Sequence, residues 1–591
     1  MGSYHNFSII PEGDTITFHN FPLSTINFQL GKAAGAQVHT CTPVFSGESD
    51  MKGYITSKQE FLFPDSPLGK MADKVQLAMA ANGRMGIQLL VAAEDGIRVA
   101  LPEDRVQLTY YQLVDIPVEY NTGNGVDQGG AMVILPDTCP DYAVRKAPFR
   151  VYDCLKPAPG GVIPAVNGVA AAYVTLEPRE GTAPGSFELP LTVRNGEEIH
   201  VCRVECVIYS ARIDESLFRQ TNWFSLRAVE EQHGVERGTP AFFNLVRSYA
   251  RSMRGVHQKV FLIWLHEDLS ERRGAHPYHF DFEDMKPILE IFFQEGFTEL
   301  ETGGVLCRGF LPDGRPDMYT NDLKCSANPA VSVDSDEGYA LLSAEMRDFS
   351  DFLRRNGWEK KVLFHVMDEP DVHVRSEEDL QARRVQFFIA SNLVRRYLPG
   401  VRILEAVKTT RMRSGVDILC PITDGFERNK AAFRTAMALG DEVWTYVCCG
   451  PQGRWLNRFL DSPVNHGRLL FWGCAKYGIR GYLHWGWNQF AGVPNPFEKT
   501  ACRNTTGIGT DFPCGDAFLV YPGTGGPWIS LRYEAQRVGA EEACLLRALR
   551  DRDPAAHDAL IARVFTTFRD YNDDPALLEQ VHEDLLRLVS Q

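Results

Sequence analysis

Beyond about residue 216 the chain alternates short, almost wholly apolar runs with longer stretches whose apolar residues recur at helical spacing, and this limits the fold more than any other feature. Phe242, Leu245, Val246, Tyr249 and Met253 share one helix face, and residues 260–265 then form an apolar run ending in His266-Glu267. A helix over 285–293 precedes a strand at 298–302, and a helix carrying Leu342, Met346, Phe349 and Leu353 precedes a strand at 362–367. Residues 377–398 are helical before a strand at 401–407, and further strands are expected near 416–419, 443–447, 479–485 and 518–521. Strands separated by helices are parallel βα units, since a parallel neighbour requires a crossover, and about eight of them predict a (β/α)8 TIM-type barrel rather than an open sheet.

Before residue 216 the period is close to two and the turns are rich in Gly, Pro and Asn, which predicts an antiparallel all-β sandwich. Residues 189–194 and 197–209 flank Asn195-Gly196, the pair preferred in a type I′ hairpin. Cys202, Val204, Cys206 and Ile208 alternate with Arg203, Glu205 and Val207, so one strand face is buried. Residues 121–130 and 157–168 read as loops. After about 530 the pattern is helical, through 531–549, 555–568 and 575–589. The expected organisation is a multidomain one: a β-sandwich-like domain over 1–215, a catalytic barrel over 216–550 and a short helical C-terminal tail over 551–591.

At 591 residues the chain exceeds one ordinary core, and 44% hydrophobic residues suffice to build large ones. A formal charge of −15 with no Lys/Arg block excludes a nucleic-acid or anionic-membrane surface, because phosphate binding needs clustered positive charge. No run of about 18 apolar residues and no basic stretch leading into an apolar one is present, so a cytoplasmic protein is expected. The fourteen cysteines form no C-x-x-C pair and are expected to be reduced thiols, with the adjacent Cys448 and Cys449 as two small side chains at a strand end. No dinucleotide or phosphate-cradling glycine motif and no metal-ligand spacing is found, so neither a cofactor nor a metal is expected.

In a barrel, reactive groups follow the strand ends. After the apolar Val362-Leu363-Phe364 comes His365-Val366-Met367-Asp368-Glu369-Pro370, two adjacent carboxylates with a proline that ends the strand by removing a donor. Neighbouring carboxylates at a buried strand end repel, which raises one pKa and leaves the other group ionised, as an acid/base pair requires. The same run is equally compatible with an acidic loop or a helix cap paired to an arginine. Trp444 and Tyr446 stand two apart on one strand, and Trp485, Trp487 and Asn488 follow the run at 479–485. Aromatic faces with neutral polar groups suit a sugar, and the same residues suit a core.

Phe364-His365-Val366-Met367-Asp368-Glu369-Pro370, Trp444-Thr445-Tyr446-Val447-Cys448, Arg468-Leu469-Leu470-Phe471-Trp472, Gly481-Tyr482-Leu483-His484-Trp485-Gly486-Trp487-Asn488 and Gly515-Asp516-Ala517-Phe518-Leu519-Val520-Tyr521-Pro522, with Ser530-Leu531-Arg532 behind, resemble the catalytic domain of glycoside hydrolase family 123. The resemblance covers about residues 215–550, including Asn222-Trp223-Phe224 at the barrel entry, whereas 1–215 resembles the family's sandwich only in texture. It implies an exo-acting, retaining β-N-acetylgalactosaminidase that uses an adjacent Asp-Glu pair and the substrate's own acetamido group as nucleophile. Glu369 then matches the general acid/base, and Asp368 the carboxylate that orients the acetamido group and stabilises the oxazolinium. Adjacent residues are poorly placed to flank a sugar from opposite faces as acid and nucleophile, which agrees with substrate assistance.

Further expectations are that Tyr446 hydrogen-bonds the acetamido carbonyl, that Trp444, Trp485 and Trp487 wall the pocket, and that Asn488 binds a hydroxyl. His266 and Glu301 are additional strand-end candidates, and Asp516 with Arg532 is expected as an ion pair in the last unit. Two alternatives remain open: a glycosidase for a sugar lacking the acetamido group, with Glu301 or Glu405 as nucleophile, and an inactive carbohydrate-binding barrel. The expected partner is an oligosaccharide or glycoconjugate, imported or cleaved from a glycolipid headgroup, and a homo-oligomer is compatible with the reading.

Overall fold

The apolar runs expected after residue 216 become parallel strands in the computed structural model, which describes residues 50–124, 131–266, 278–506 and 510–591. The first 49 residues of the expected sandwich, and part of the loop expected at 121–130, lie outside the described residues. Six strands form one parallel sheet in the order Val260–Leu262, Glu299–Gly303, Val362–His365, Arg402–Val407, Ile418–Pro421 and Glu442–Val443. Thr445–Tyr446, Gly481–His484 and Arg219–Asn222 form a second, also parallel. The two are linked where Ile422 bridges Tyr446 and the Trp444 N–H donates to Leu419 O.

No closed barrel forms by backbone pairing among the described residues. Between Arg219–Asn222 and Val260–Leu262 the seam is bridged by side chains: Gln258 Nε2 donates to Asn222 O (3.2 Å) and Val260 O (2.7 Å), its Oε1 accepts from Asn222 Nδ2 (2.9 Å), and Gln220 Nε2 donates to Val256 O. Arg219–Asn222 itself is a strand that apolar patterning misses. Its buried Gln220, Thr221 and Asn222 are satisfied by hydrogen bonds instead, Thr221 Oγ1 to Glu301 and Asn222 Oδ1 from Arg458. The strand expected at 518–521 is corrected: the strand is Tyr521–Gly523, and it pairs antiparallel with Gly526–Ser530.

That hairpin belongs to a 13-stranded mixed sheet, because Ile529 and Ser530 pair with Leu155 and Cys154 of Phe149–Pro157. One part of this sheet runs through Met85–Ala92, Val169–Pro178, Val106–Val118 and Phe149–Pro157. The other runs through Gly96–Ala100, Gly185–Asn195, Glu198–Tyr209 and the parallel Lys74–Ala80. Ile87, Leu89, Val91 and Val174 of the first share an apolar cluster with Leu77, Val99, Leu191, Cys202, Val204 and Cys206 of the second. Strand Val162–Val166 joins the two parts, where a loop is expected from sequence. The hairpin turn also shifts by one residue: Asn195 pairs with Glu198, so Gly196-Glu197 is the loop, and only Gly196 has positive φ (58°), the pattern of a type II′ turn rather than I′.

The helices follow their predicted faces. Pro240–Arg254 buries Phe242, Leu245, Val246, Tyr249 and Met253. Asp336–Asn356 starts on a Ser335 side-chain cap and stops at Gly357 in the left-handed region, and Glu377–Tyr397 starts on Ser376. Leu531–Arg552 lies buried along most of its length although it carries many charges. Those charges are neutralised in pairs: Arg537 meets Glu534 and Glu541, Arg84 meets Glu534, and Arg468 meets Glu542. The helix expected at 555–568 ends at Ile561, and Phe565–Thr567 turns back against Asp570–Tyr571 before the last helix, Pro575–Ser590. No described helix is long and apolar enough to cross a membrane.

Candidate active site

The buried strand Val362–His365 delivers Asp368 and Glu369 to the same end of the parallel strands as Tyr446. Glu369 adopts φ 52°, a left-handed conformation uncommon outside glycine. Its carbonyl is held there by Arg308 Nη2 (2.7 Å) and the Val372 N–H (3.1 Å). The Tyr446 hydroxyl donates to Glu369 Oε1. Burial pushes the Tyr446 hydroxyl well up, with the Glu369 charge adding to it, so it remains a proton donor.

Asp368 keeps an exposed side chain at the strand end, with protein packed around it. That enclosure, and next the Glu369 charge, raise its carboxyl to about 7, against the opposing pull of Arg308 and His365. The raised pKa of Asp368 is a perturbation of the kind found at functional sites.

Beneath the pair the fully buried His365 bridges two buried carboxylates, Glu405 Oε2 to its Nδ1 (3.1 Å) and Glu301 Oε1 to its Nε2 (2.6 Å). Glu301 also accepts from Trp223 Nε1 (2.9 Å) and Thr221 Oγ1 (2.5 Å), and Glu405 Oε1 accepts from the N–H groups of Val366 (2.5 Å) and Met367 (3.3 Å). Glu301 is therefore corrected from a substrate-binding candidate to an interior group, and neither it nor Glu405 has a surface that a sugar carbon can reach.

Of the expected aromatics, Trp485 is half-buried, with its Nε1 donating to Asp516 Oδ2 (3.2 Å) and its ring against Phe512. Trp444 and Trp487 are fully buried, which corrects their place on the pocket wall: Trp444 packs with Leu363, Leu404 and Ile418 and donates to Glu442, and Trp487 packs against Tyr533. Asn488 is buried too, exchanging two hydrogen bonds with the Ser225 backbone. His266 Nε2 lies 2.6 Å from the buried Glu345 Oε1. The expected Asp516–Arg532 pair does not form. Arg532 binds Asp153 (3.0 Å), and Asp516, raised to about 7 by burial, lies 3.3 Å from His484 Nε2. Burial, then Arg458 and Arg532, keep His484 well below the usual histidine range, and its Nδ1 accepts from Arg458 and the Gly486 N–H.

Three neighbours of the pair escape sequence reasoning. Arg308 reaches Glu369 from the excursion after Glu299–Gly303. Asp371, one residue past Pro370, anchors the loop by accepting from the N–H groups of Lys408 and Thr409 and from Thr409 Oγ1. Arg383, fully buried in Glu377–Tyr397, spends its guanidinium on carbonyls, those of Met318 and Thr320 on one side and Val372 and His373 on the other. Only Asp371 carried a signal, as a polar residue just after the strand-ending proline. Cys448 and Cys449 are free, half-buried thiols 3.9 Å apart. Among the described residues no three His, Cys, Asp or Glu side chains are arranged to hold a metal ion.

The model of the glycoside hydrolase 123 catalytic domain matches residues 223–549, more than half of the chain. The chain belongs to glycoside hydrolase family 123. Its fold is similar to that of a family 123 glycoside hydrolase from Clostridium perfringens whose structure describes glycolipid glycan hydrolysis, with TM-score 0.66 and 13% identity over 91% of this chain and 98% of that one. An exo-β-1,4-mannosidase from Opitutaceae bacterium strain TAV5 matches with TM-score 0.34 and 14% identity over 56% of this chain and 63% of that one. No curated protein matches the sequence. The family 123 chain is thus a glycoside hydrolase, and Asp368, Glu369 and Tyr446 converge inside the matched region.

Proposed function

We propose that this chain is an exo-acting, retaining β-N-acetylgalactosaminidase, built on an incompletely laddered (β/α)8 barrel over 216–550 between a sandwich-like 1–215 and a helical tail at 551–591. The observation that carries it is the adjacent Asp368 and Glu369 at one strand end, with the Tyr446 hydroxyl turned onto Glu369. In this reading Asp368 accepts the acetamido N–H and so turns the acetamido oxygen toward C1. Glu369 protonates the glycosidic oxygen as the bond to C1 breaks, and the acetamido oxygen closes on C1 to form the oxazolinium. Glu369 then takes a proton from water, which attacks C1 and restores the acetamide with net retention.

The burial of Glu301 and Glu405 counts against the alternative in which either serves as nucleophile on a sugar lacking the acetamido group. The substrate class is a short oligosaccharide or a glycolipid-derived glycan, in line with what the Clostridium perfringens relative is described as hydrolysing. A cytoplasmic location stands with this proposal, and fractionation of the native host tests it. Hydrolysis of para-nitrophenyl β-GalNAc beside β-GlcNAc, β-galactoside and β-glucoside, with Glu369→Gln as control, tests the activity. Cleavage confined to the N-acetyl sugars and lost in the variant supports the reading, and cleavage of the unmodified sugars refutes it.

A further inference from the structure

We propose that His365, clasped by Glu301 and Glu405, is a positioning residue that keeps a permanent positive charge under the Asp368–Glu369 pair, while Glu405 fixes the backbone on which that pair stands. The inference rests on the proposed roles of Asp368 and Glu369. The geometry supplies its first premise. Both ring nitrogens of His365 face carboxylate oxygens, at 3.1 Å and 2.6 Å; burial raises the Glu405 carboxyl and His365 opposes that rise, and with both carboxylates ionised both nitrogens carry a proton and the ring is an imidazolium. Its pKa, raised to about 10 by the two carboxylates despite full burial, agrees.

The second premise is where the clasp ends. Glu405 Oε1 takes the N–H groups of Val366 and Met367, the two residues that lead into Asp368. Glu301 is in turn fixed by Thr221 of Arg219–Asn222 and by Trp223 just beyond that strand. Three ionisable groups with no solvent contact are costly compared with apolar packing, and the neighbouring Leu363, Leu404 and Ile418 show that apolar residues fit among these strands. The third premise is electrostatic. Asp368 faces Glu369 and Glu405, which oppose its ionisation, and Arg308 and His365, which favour it. The Tyr446 hydroxyl and the Cys420 thiol, both pushed far up by burial, stay neutral beside them. His365 therefore belongs to the set of charges that decides when Asp368 ionises.

Two variants separate positioning from simple core support. Glu405→Gln retains an acceptor for Val366 and Met367 but turns an NH2 toward His365 Nδ1, so the ring gives up that proton. His365→Gln removes the cation and leaves Glu405 acting on Asp368 without it. The ring nitrogen shifts of His365 in 15N-histidine-labelled protein are read from pH 6 to 9, beside the pH profile of kcat on the best para-nitrophenyl glycoside. The expected result is an imidazolium throughout in the unmodified protein and a neutral ring near pH 7 in Glu405→Gln. In His365→Gln the acid limb of kcat moves up by about one pH unit, which lowers kcat about tenfold below the limb with KM changed less than about twofold. A neutral His365 at pH 7 in the unmodified protein overturns the inference. So does an acid limb that stays within about 0.2 unit in the variants while activity falls only in step with folded fraction. If His365→Gln does not fold, the spectra of the unmodified protein and Glu405→Gln still decide. The nitrogen shifts need no substrate, so a failed sugar assignment and a failed clasp are told apart.

Discussion

Tyr446 and Glu369 come from different strand ends, 77 positions apart in the chain, yet the phenol donates directly to the carboxylate oxygen. The bond gives Glu369 a fixed direction that its left-handed backbone alone does not supply. Tyr446→Phe keeps the ring and removes only the donor. A lost hydrogen bond to a charged group costs about 1.5–3 kcal/mol, so kcat/KM is expected to fall about tenfold to a hundredfold. Steady-state kinetics check this, with a melting temperature near that of the parent showing that the fold is intact.

Asp368 should set the acid side of the pH profile. Its carboxyl is raised to about 7, so activity that needs the ionised form rises as pH passes 7. Stability runs the other way. The unfolded chain ionises this group near pH 4 and the folded chain only near 7, so the contribution is full below about 4 and is lost as pH rises through about 7. Asp368→Asn is expected to abolish turnover while melting higher than the parent at pH 8, with the difference vanishing at pH 4. Thermal unfolding at the two pH values measures it, and Asp516, raised into the same window, is unchanged in both proteins.

Arg383 ties the segment at 318–320 to the loop that follows Asp368 and Glu369. A methionine there strands several buried carbonyls, at about 2–4 kcal/mol in stability. Hydrogen exchange at 318–320 and 370–373 should accelerate more than elsewhere, and a lysine, with one ammonium in place of a planar fork, should not restore the protection.

Trp485 and Trp487 offer a paired test of lining against packing. Trp487→Ala empties a fully buried site and is expected to cost about 3–5 kcal/mol while leaving kcat per folded molecule nearly unchanged. Trp485→Ala, at a half-buried site beside Asp516, is expected to cost less stability and to raise KM severalfold. Denaturant titrations with substrate saturation curves on both variants distinguish the two roles.

What sequence reading reached, and where it stopped, follows from what each pattern measures. Helical spacing placed Phe242 to Met253 on a buried face, because one stripe of a helix is apolar and the rest is not. The carboxylate pair was legible from the apolar run before it and the proline after it. Arg219–Asn222 was not, since its buried side chains are polar and satisfied by partners as distant in sequence as Arg458 and Glu301. Trp444, Trp485 and Trp487 were indistinguishable because both faces of such a strand are enclosed, so period two separates faces without saying which one meets a ligand. The apolar run at 518–521 announced a strand, which begins at Tyr521, but not its antiparallel partner Gly526–Ser530, which in turn pairs with Phe149–Pro157.

That last pairing bears on how this protein can be taken apart or inherited. Ser530 pairs with Cys154, and its hydroxyl accepts from the Tyr533 N–H to cap the helix that carries the buried arginines. A gene cut between the sheet and the sugar-cleaving strands would leave one fragment with a raw strand edge and the other with an unanchored hairpin, both prone to aggregate. The two regions are bound to travel through evolution together, and a hydrolase trimmed to its matched segment is a poor starting point for engineering.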